Sequence, residues 1–143
     1  GQRIVTFEYP DTLIKRVLAD GKTIALVGAS PRPERASFRV MRFLQSRGHK
    51  VYPVNPVEAG SVINGETVLA SLDKMPVPVD MVDIFRRSSQ AGEAVDGAIR
   101  VGAKSVWMQL DVIDEDAANR AEKAGLTVIM DRCPVIEYRR LGI

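Results

Sequence analysis

A chain of 143 residues with a net charge of +2 reads as one domain, residues 1–143, large enough to bury a core (residues 22–134) without disulfides or metal. A hydrophobic content of 45% beside 27% charged residues is globular, and the small positive balance excludes a nucleic-acid binder of the ordinary kind, because only Phe38 interrupts the arginines. One cysteine excludes an internal disulfide framework, no apolar run approaches the roughly 18 residues that span a bilayer, and no charged-then-apolar leader opens the chain, so a cytoplasmic protein without nucleic-acid or membrane partners is expected.

In chain order, Gly1 reads as a remnant of expression, and Asp11 to Leu18 predicts a short amphipathic helix with Asp11 as N-cap and Gly21 past its end, covering one edge of a sheet. Thr23-Ile24-Ala25-Leu26-Val27 is an apolar run that stops at Gly28, as a buried parallel strand does before a phosphate-cradling turn into a helix. That turn departs from the dinucleotide fingerprint: it reads G-A-S-P-R-P, with Ser30 where a second glycine belongs. Ser37 to Arg47 predicts a helix with Val40, Phe43 and Leu44 on one face, closed by Gly48. His49, the sole histidine, precedes the second strand and reads as surface or structural. The second strand, Lys50 to Val54, ends in Asn55-Pro56 with no carboxylate for a ribose, since Glu58 lies beyond the proline. Arg32, Arg35, Arg39 and Arg42 suit a ligand richer in phosphate, and at least one of them is expected to bind it.

Ser61 to Asn64 predicts a minor edge strand. Met81 to Phe85 is a strong strand followed by Arg86-Arg87-Ser88-Ser89; Asp83 interrupts it and is assigned to a sheet edge or a loop pairing, without chemistry. A helix from Gln90 to Val101, a strand from Lys104 to Leu110 with Trp107 in the core, a helix from Glu115 to Ala124 and a strand from Leu126 to Met130 follow. Cys133-Pro134 opens a closing helical turn. This alternation predicts an α/β fold: a single Rossmann-like domain, mostly parallel sheet with helices on both faces. Function is expected outside the strand carboxyl ends, which carry Gly28, Asn55, Phe85, Gln109 and Asp131.

Five segments, VGASPRPERASFRVMRFL, YPVNP, VDMVDIFRRS, GAKSVWMQL and VIMDRCP, together resemble the small stand-alone coenzyme A-binding proteins, whose domain is similar to the one that opens the succinyl-CoA synthetase alpha subunit. The resemblance implies that Gly28, Ala29, Ser30, Ser37 and Phe38 hold a diphosphate with amides and hydroxyls, beside Arg32 and Arg39. It implies that Val54, Asn55 and Pro56 line the adenosine side, that Phe85, Arg86 and Arg87 flank the middle of the ligand, and that Gln109, Cys133 and Pro134 meet the pantetheine end. Neither the phosphohistidine domain nor the nucleotide-grasping domain of the synthetases fits in 143 residues, and no serine–histidine–acid set, paired carboxylates or metal cluster stands out. The chain therefore reads as a coenzyme A or acyl-CoA binder without catalysis of its own, acting as carrier, sensor or subunit for a partner. The alternatives are a small NAD(P)-dependent oxidoreductase, or a redox-regulatory protein using Cys133. A thiol near a helix N-terminus and beside Arg132 favours a thiolate, and a mixed disulfide with coenzyme A follows as an expectation.

Overall fold

The computed structural model describes residues 7–143, so the reading of Gly1 lies outside the described residues. In chain order the elements are α1 (Asp11–Asp20), β1 (Thr23–Val27), α2 (Ala36–Ser46), β2 (Lys50–Val54), β3 (Val62–Ile63), β4 (Glu66–Thr67), β5 (Met81–Ile84), α3 (Ser88–Arg100), β6 (Ser105–Met108), α4 (Glu115–Lys123), β7 (Thr127–Ile129) and α5 (Pro134–Leu141). The apolar runs of β5 and β6 are buried at every residue, as strands covered on both faces must be. A five-stranded sheet in the order β2-β1-β5-β6-β7 results, parallel at every pairing.

Alternation along each strand sorts the side chains into two core layers. Ile24, Leu26, Met81, Trp107 and Ile129 pack with residues of α1, α2 and α5, while Ala25, Val82, Ile84, Val106 and Val128 pack with residues of α3 and α4. The chain moves from β1 outward to β2 and then crosses back to β5 on the other side of β1. Strand order therefore reverses between β1 and β5, the place where open α/β sheets form a crevice.

Several expectations need correction. The N-cap of α1 is Pro10, with no side-chain cap, and Asp11 is its first helical residue. Through Ile14, Val17 and Leu18 that helix joins α2 and α5 on one face rather than covering a sheet edge. The segment around Ser61 to Asn64 is not an edge of the main sheet: β3 pairs antiparallel with β4 through a turn in which Asn64 and Gly65 both have positive φ, 48° and 82°, as a tight hairpin requires. Asp83 is neither at an edge nor paired; it sits in central β5 between Leu26 of β1 and Trp107 of β6, fully buried. Trp107 is core as expected, with its indole N–H donating to the Arg132 carbonyl at 2.8 Å.

His49 is buried and structural. Its Nδ1 lies 2.6 Å from the Gly21 carbonyl and its Nε2 lies 2.6 Å from the Tyr138 hydroxyl. A carbonyl only accepts, so Nδ1 carries the proton and Nε2 accepts from the phenol. Burial raises the Tyr138 pKa above its ordinary value, which keeps the hydroxyl a donor. One imidazole thus ties the end of α1 to α5. His49→Ala leaves both partners short of a bond and is expected to lower unfolding free energy by about 1–3 kcal/mol, with Tyr138→Phe losing about 1 kcal/mol, both read from urea denaturation midpoints.

Candidate functional site

The turn after β1 is stitched into the sheet on both sides. Gly28 and Ala29 donate their N–H groups to the Val54 carbonyl of β2 at 2.9 and 3.3 Å, and Phe85 donates its N–H to Val27 at 2.8 Å. Asn55 braces the same turn, its Nδ2 donating to the Ala29 carbonyl at 2.9 Å while its Oδ1 accepts from the Val57 N–H at 3.0 Å. Gly28 has φ of 90°, and a Cβ there would stand 2.9 Å from the Phe85 carbonyl carbon and closer still to its oxygen. Only glycine lets β1 turn away so near to β5.

A cavity of about 1060 Å³ opens above this turn, between the starts of α2 and α5. Gly28, Ala29 and Ser30 form its floor, with Asn55 and Phe85 beside them. Because the Gly28 and Ala29 amides are taken by Val54, the backbone donors left at this end of the cavity are those of Ser30, Ala36 and Ser37, which make no hydrogen bond among the described residues; at the far end the first-turn amides of Val135 and Ile136 in α5 are open as well. Ala36 and Ser37 stand at the first turn of α2, where a helix leaves its N–H groups unsatisfied and its dipole favours an anion. Arg32, Arg35 and Arg39 line the same mouth, and none pairs with a carboxylate among the described residues; Arg39 donates to the Glu34 carbonyl at 2.6 Å. Arg42 lies outside the lining, over the Phe38 ring, and Phe38 itself packs toward the core beneath α2.

At the other end of the cavity stand Gln109, after β6, and Cys133, the N-cap of α5. Gln109 is 6% exposed and its Oε1 has no hydrogen-bond partner. That oxygen is shut off from the cavity, so the side-chain Nε2 is the atom of Gln109 left to meet a ligand. Cys133 is buried; Pro134 follows it as the first residue of α5, buried and outside the lining. Arg132 is engaged elsewhere: it donates to the carbonyls of Asp131 and Phe7 and lies 3.9 Å from Glu137. Asp131 is likewise occupied, accepting the Asp111 N–H at 2.7 Å.

The remaining predicted residues fall together elsewhere. Val54, Pro56 and Arg86 line a second cavity of about 300 Å³ on the α3 face, with Gln90, Glu93 and Arg100. Arg100 is bound to Asp73 at 2.9 and 3.0 Å, whereas Arg86 forms no ion pair among the described residues, and Arg87 is exposed. The two cavities flank the turn at Gly28 on opposite faces of the sheet, at the reversal of strand order.

Sequence reasoning missed part of this lining. Glu58 is the one carboxylate lining the larger cavity, despite the proline before it. Val40 and Phe43 were read only as a packing face of α2, and Leu110, Val112, Val135 and Ile136 received no role although each follows a strand end. The available signal was position, one to three residues beyond Gln109 or Cys133.

Comparisons with known proteins give the family and the fold. Residues 22–139 match the family model described as CoA binding domain. The uncharacterized protein YneT of Bacillus subtilis (strain 168) is 36% identical over 120 residues, covering 84% of this chain and 87% of that one. The structure of a hypothetical protein from Pyrococcus horikoshii OT3 is 38% identical with a TM-score of 0.88, over 94% of each chain. The dinucleotide forming acetyl-coenzyme A synthetase 1 of Ca. Korarchaeum cryptofilum matches over 82% of this chain and 28% of its own, at 24% identity and a TM-score of 0.69, a likeness of fold alone. With a family model spanning most of its length and two relatives above 30% identity, the chain belongs to the CoA-binding domain family.

Proposed function

We propose that the protein binds coenzyme A across the reversal of strand order and serves as a binding module, without a reaction of its own. The observation that carries this reading is the group Arg32, Arg35 and Arg39, without carboxylate partners among the described residues, beside the open amides of Ser30, Ala36 and Ser37. Coenzyme A carries a diphosphate and a 3′-phosphate, and a charge-assisted arginine–phosphate contact contributes about 1.5–3 kcal/mol, enough to decide ligand choice without bearing on the fold. The side-chain Nε2 of Gln109, which makes no hydrogen bond among the described residues, suits an amide carbonyl of the pantetheine arm. In this reading the ligand crosses the turn at Gly28, with the ribose at Glu58 of the larger cavity and the adenine on Val54 and Pro56 of the second, where Arg86, expected beside the middle of the ligand, also stands. Gly28 and Asn55 then hold the turn in shape, Ser37 and Ser30 offer hydroxyls, and Cys133 stands at the thiol end.

Thermal unfolding with separate additions of coenzyme A, 3′-phosphoadenosine diphosphate, NAD and NADP tests the reading. A ligand at 100 times its Kd stabilises by about 2.7 kcal/mol, roughly 5–10 °C for a domain of this size. A shift with coenzyme A and with the phosphoadenosine fragment, and none with NAD, is the expected result. A shift with NAD or NADP alone overturns it.

A further inference from the structure

We infer that the cavity takes an aliphatic acyl thioester of coenzyme A in preference to the free thiol, with the acyl chain lying on Leu110, Val112, Val135 and Ile136. This rests on the coenzyme A reading and adds the class of group carried at the thiol end.

The sheet order grades the cavity. Its polar half follows β2 and β1, where Glu58, Asn55, the turn at Gly28 and the arginines before α2 stand. Its other half follows β6 and β7, beyond β5, and there the side chains past Gln109 and Cys133 are the aliphatic Leu110, Val112, Val135 and Ile136, with Arg139 at the far end. Leu110 is 48% and Ile136 49% exposed, a large apolar surface to leave open beside a binding cavity. The exposure is held in place and is not that of a slack loop. The Asp111 N–H donates to Asp131 Oδ1 at 2.7 Å, the Ile113 N–H donates to Ser88 Oγ at 2.9 Å, and the Ser88 hydroxyl donates to the Asp111 carbonyl at 3.2 Å. Asp111 adopts a left-handed φ of 66°, so the backbone immediately after Leu110 is strained into the shape that presents it. A rigid apolar wall binds an apolar group without first being ordered.

Gln109 sets the register between the halves. Its Oε1 is shut off from the cavity, which leaves Nε2, without a hydrogen bond among the described residues, as the donor a ligand carbonyl can reach. The last amide of the pantetheine arm stands two carbons before the sulfur, so its carbonyl on Gln109 Nε2 sets the sulfur, and whatever it carries, toward the half of the cavity lined by Cys133 and the aliphatic residues. No charged side chain belongs to that wall. The nearest cation in the lining, Arg139, is one turn further along α5 and stacks on Phe43, 5.6 Å from the ring centre.

Isothermal titration with coenzyme A and its acetyl, butyryl, hexanoyl and succinyl thioesters decides the matter. Affinity is expected to rise about two- to fourfold for each added methylene from acetyl to hexanoyl, the span from partial to full burial. In a Leu110→Ser/Ile136→Ser variant, altered only at exposed positions, most of that gain is expected to vanish. Binding of free coenzyme A without any gain along the series overturns this inference and leaves the coenzyme A reading standing; failure of every thioester and of coenzyme A to bind overturns that reading. Preference for succinyl over butyryl assigns the end of the cavity to a carboxylate at Arg139 and overturns the aliphatic class, as does a full gain retained by the variant.

Discussion

Gly28→Ala is expected to lower the unfolding free energy by about 2–5 kcal/mol and to abolish the thermal shift with coenzyme A. Two physical terms add. A left-handed backbone at a residue with a Cβ costs about 1–2 kcal/mol, and forcing a methyl into a packed site costs about 1–3 kcal/mol more. Here φ is 90°, and the added Cβ meets the main chain of Phe85, not the movable end of a side chain. That main chain has little room to give, since the Phe85 N–H is bonded to Val27 and the neighbouring Ile84 carbonyl accepts from Gln109 at 3.3 Å. If it yields, β1 and β5 part at the point where both cavities meet. Gly125→Ala supplies the reference: φ there is 93°, but nothing lies within 4 Å of the added Cβ, so that variant carries the backbone term alone. Urea denaturation of the two variants side by side reads the difference. Equal losses would mean that the close approach to Phe85 has no energetic consequence and would remove the steric half of the argument.

The frame of the site was legible in the sequence because strand ends announce themselves. Apolar runs stop at Gly28, Asn55, Phe85 and Gln109, and a parallel sheet brings those stops to one edge whatever the strand order. The division of the site was not legible. Val54, Pro56 and Arg86 reach a different cavity from Ala29, Asn55 and Phe85 because successive strand residues point to opposite faces, and a shift of one residue at a strand end decides which face receives the side chain. Charge misled in a similar way. Arg39 and Arg42 look alike in sequence, yet three residues along α2 carry the second off the cavity and onto Phe38. Arg132, next to the cysteine, spends its guanidinium on distant carbonyls. His49 gave no local signal, because its partners Gly21 and Tyr138 lie far off in the chain.

Asp83→Val is expected to stabilise the domain, by about 1–3 kcal/mol where the carboxyl is neutral and by more as pH rises. Asp83 is fully buried in β5 between Leu26 and Trp107, and both its carboxyl oxygens lack a partner. Burial in apolar surroundings holds its pKa well above the ordinary carboxylate value of 3.8. The sign follows from which state binds the proton more tightly. Between 3.8 and the raised native pKa the folded chain keeps a proton that the unfolded chain has released, so stability is full below 3.8 and falls as pH climbs through that window. Valine removes both the unpaired group and the titration, and it suits a central strand. Asp83→Asn removes the titration alone, so it should flatten the pH dependence with a smaller gain. Urea midpoints from pH 4 to 8 for the three proteins check this; a less stable valine variant would overturn the cost assigned to the buried carboxyl, and one that retains the native slope would show that another group carries the pH dependence. Asp83 lies one pleat below Phe85, on the strand whose end shapes the turn at Gly28, and a carboxyl that destabilises the core at that place is the kind of local conflict that folds keep near their binding sites. The coenzyme A shift of the valine variant separates the two roles: an unchanged shift on a higher baseline means that the core conflict is independent of the ligand, whereas a smaller shift means that the conflict is partly relieved when the cavity is filled.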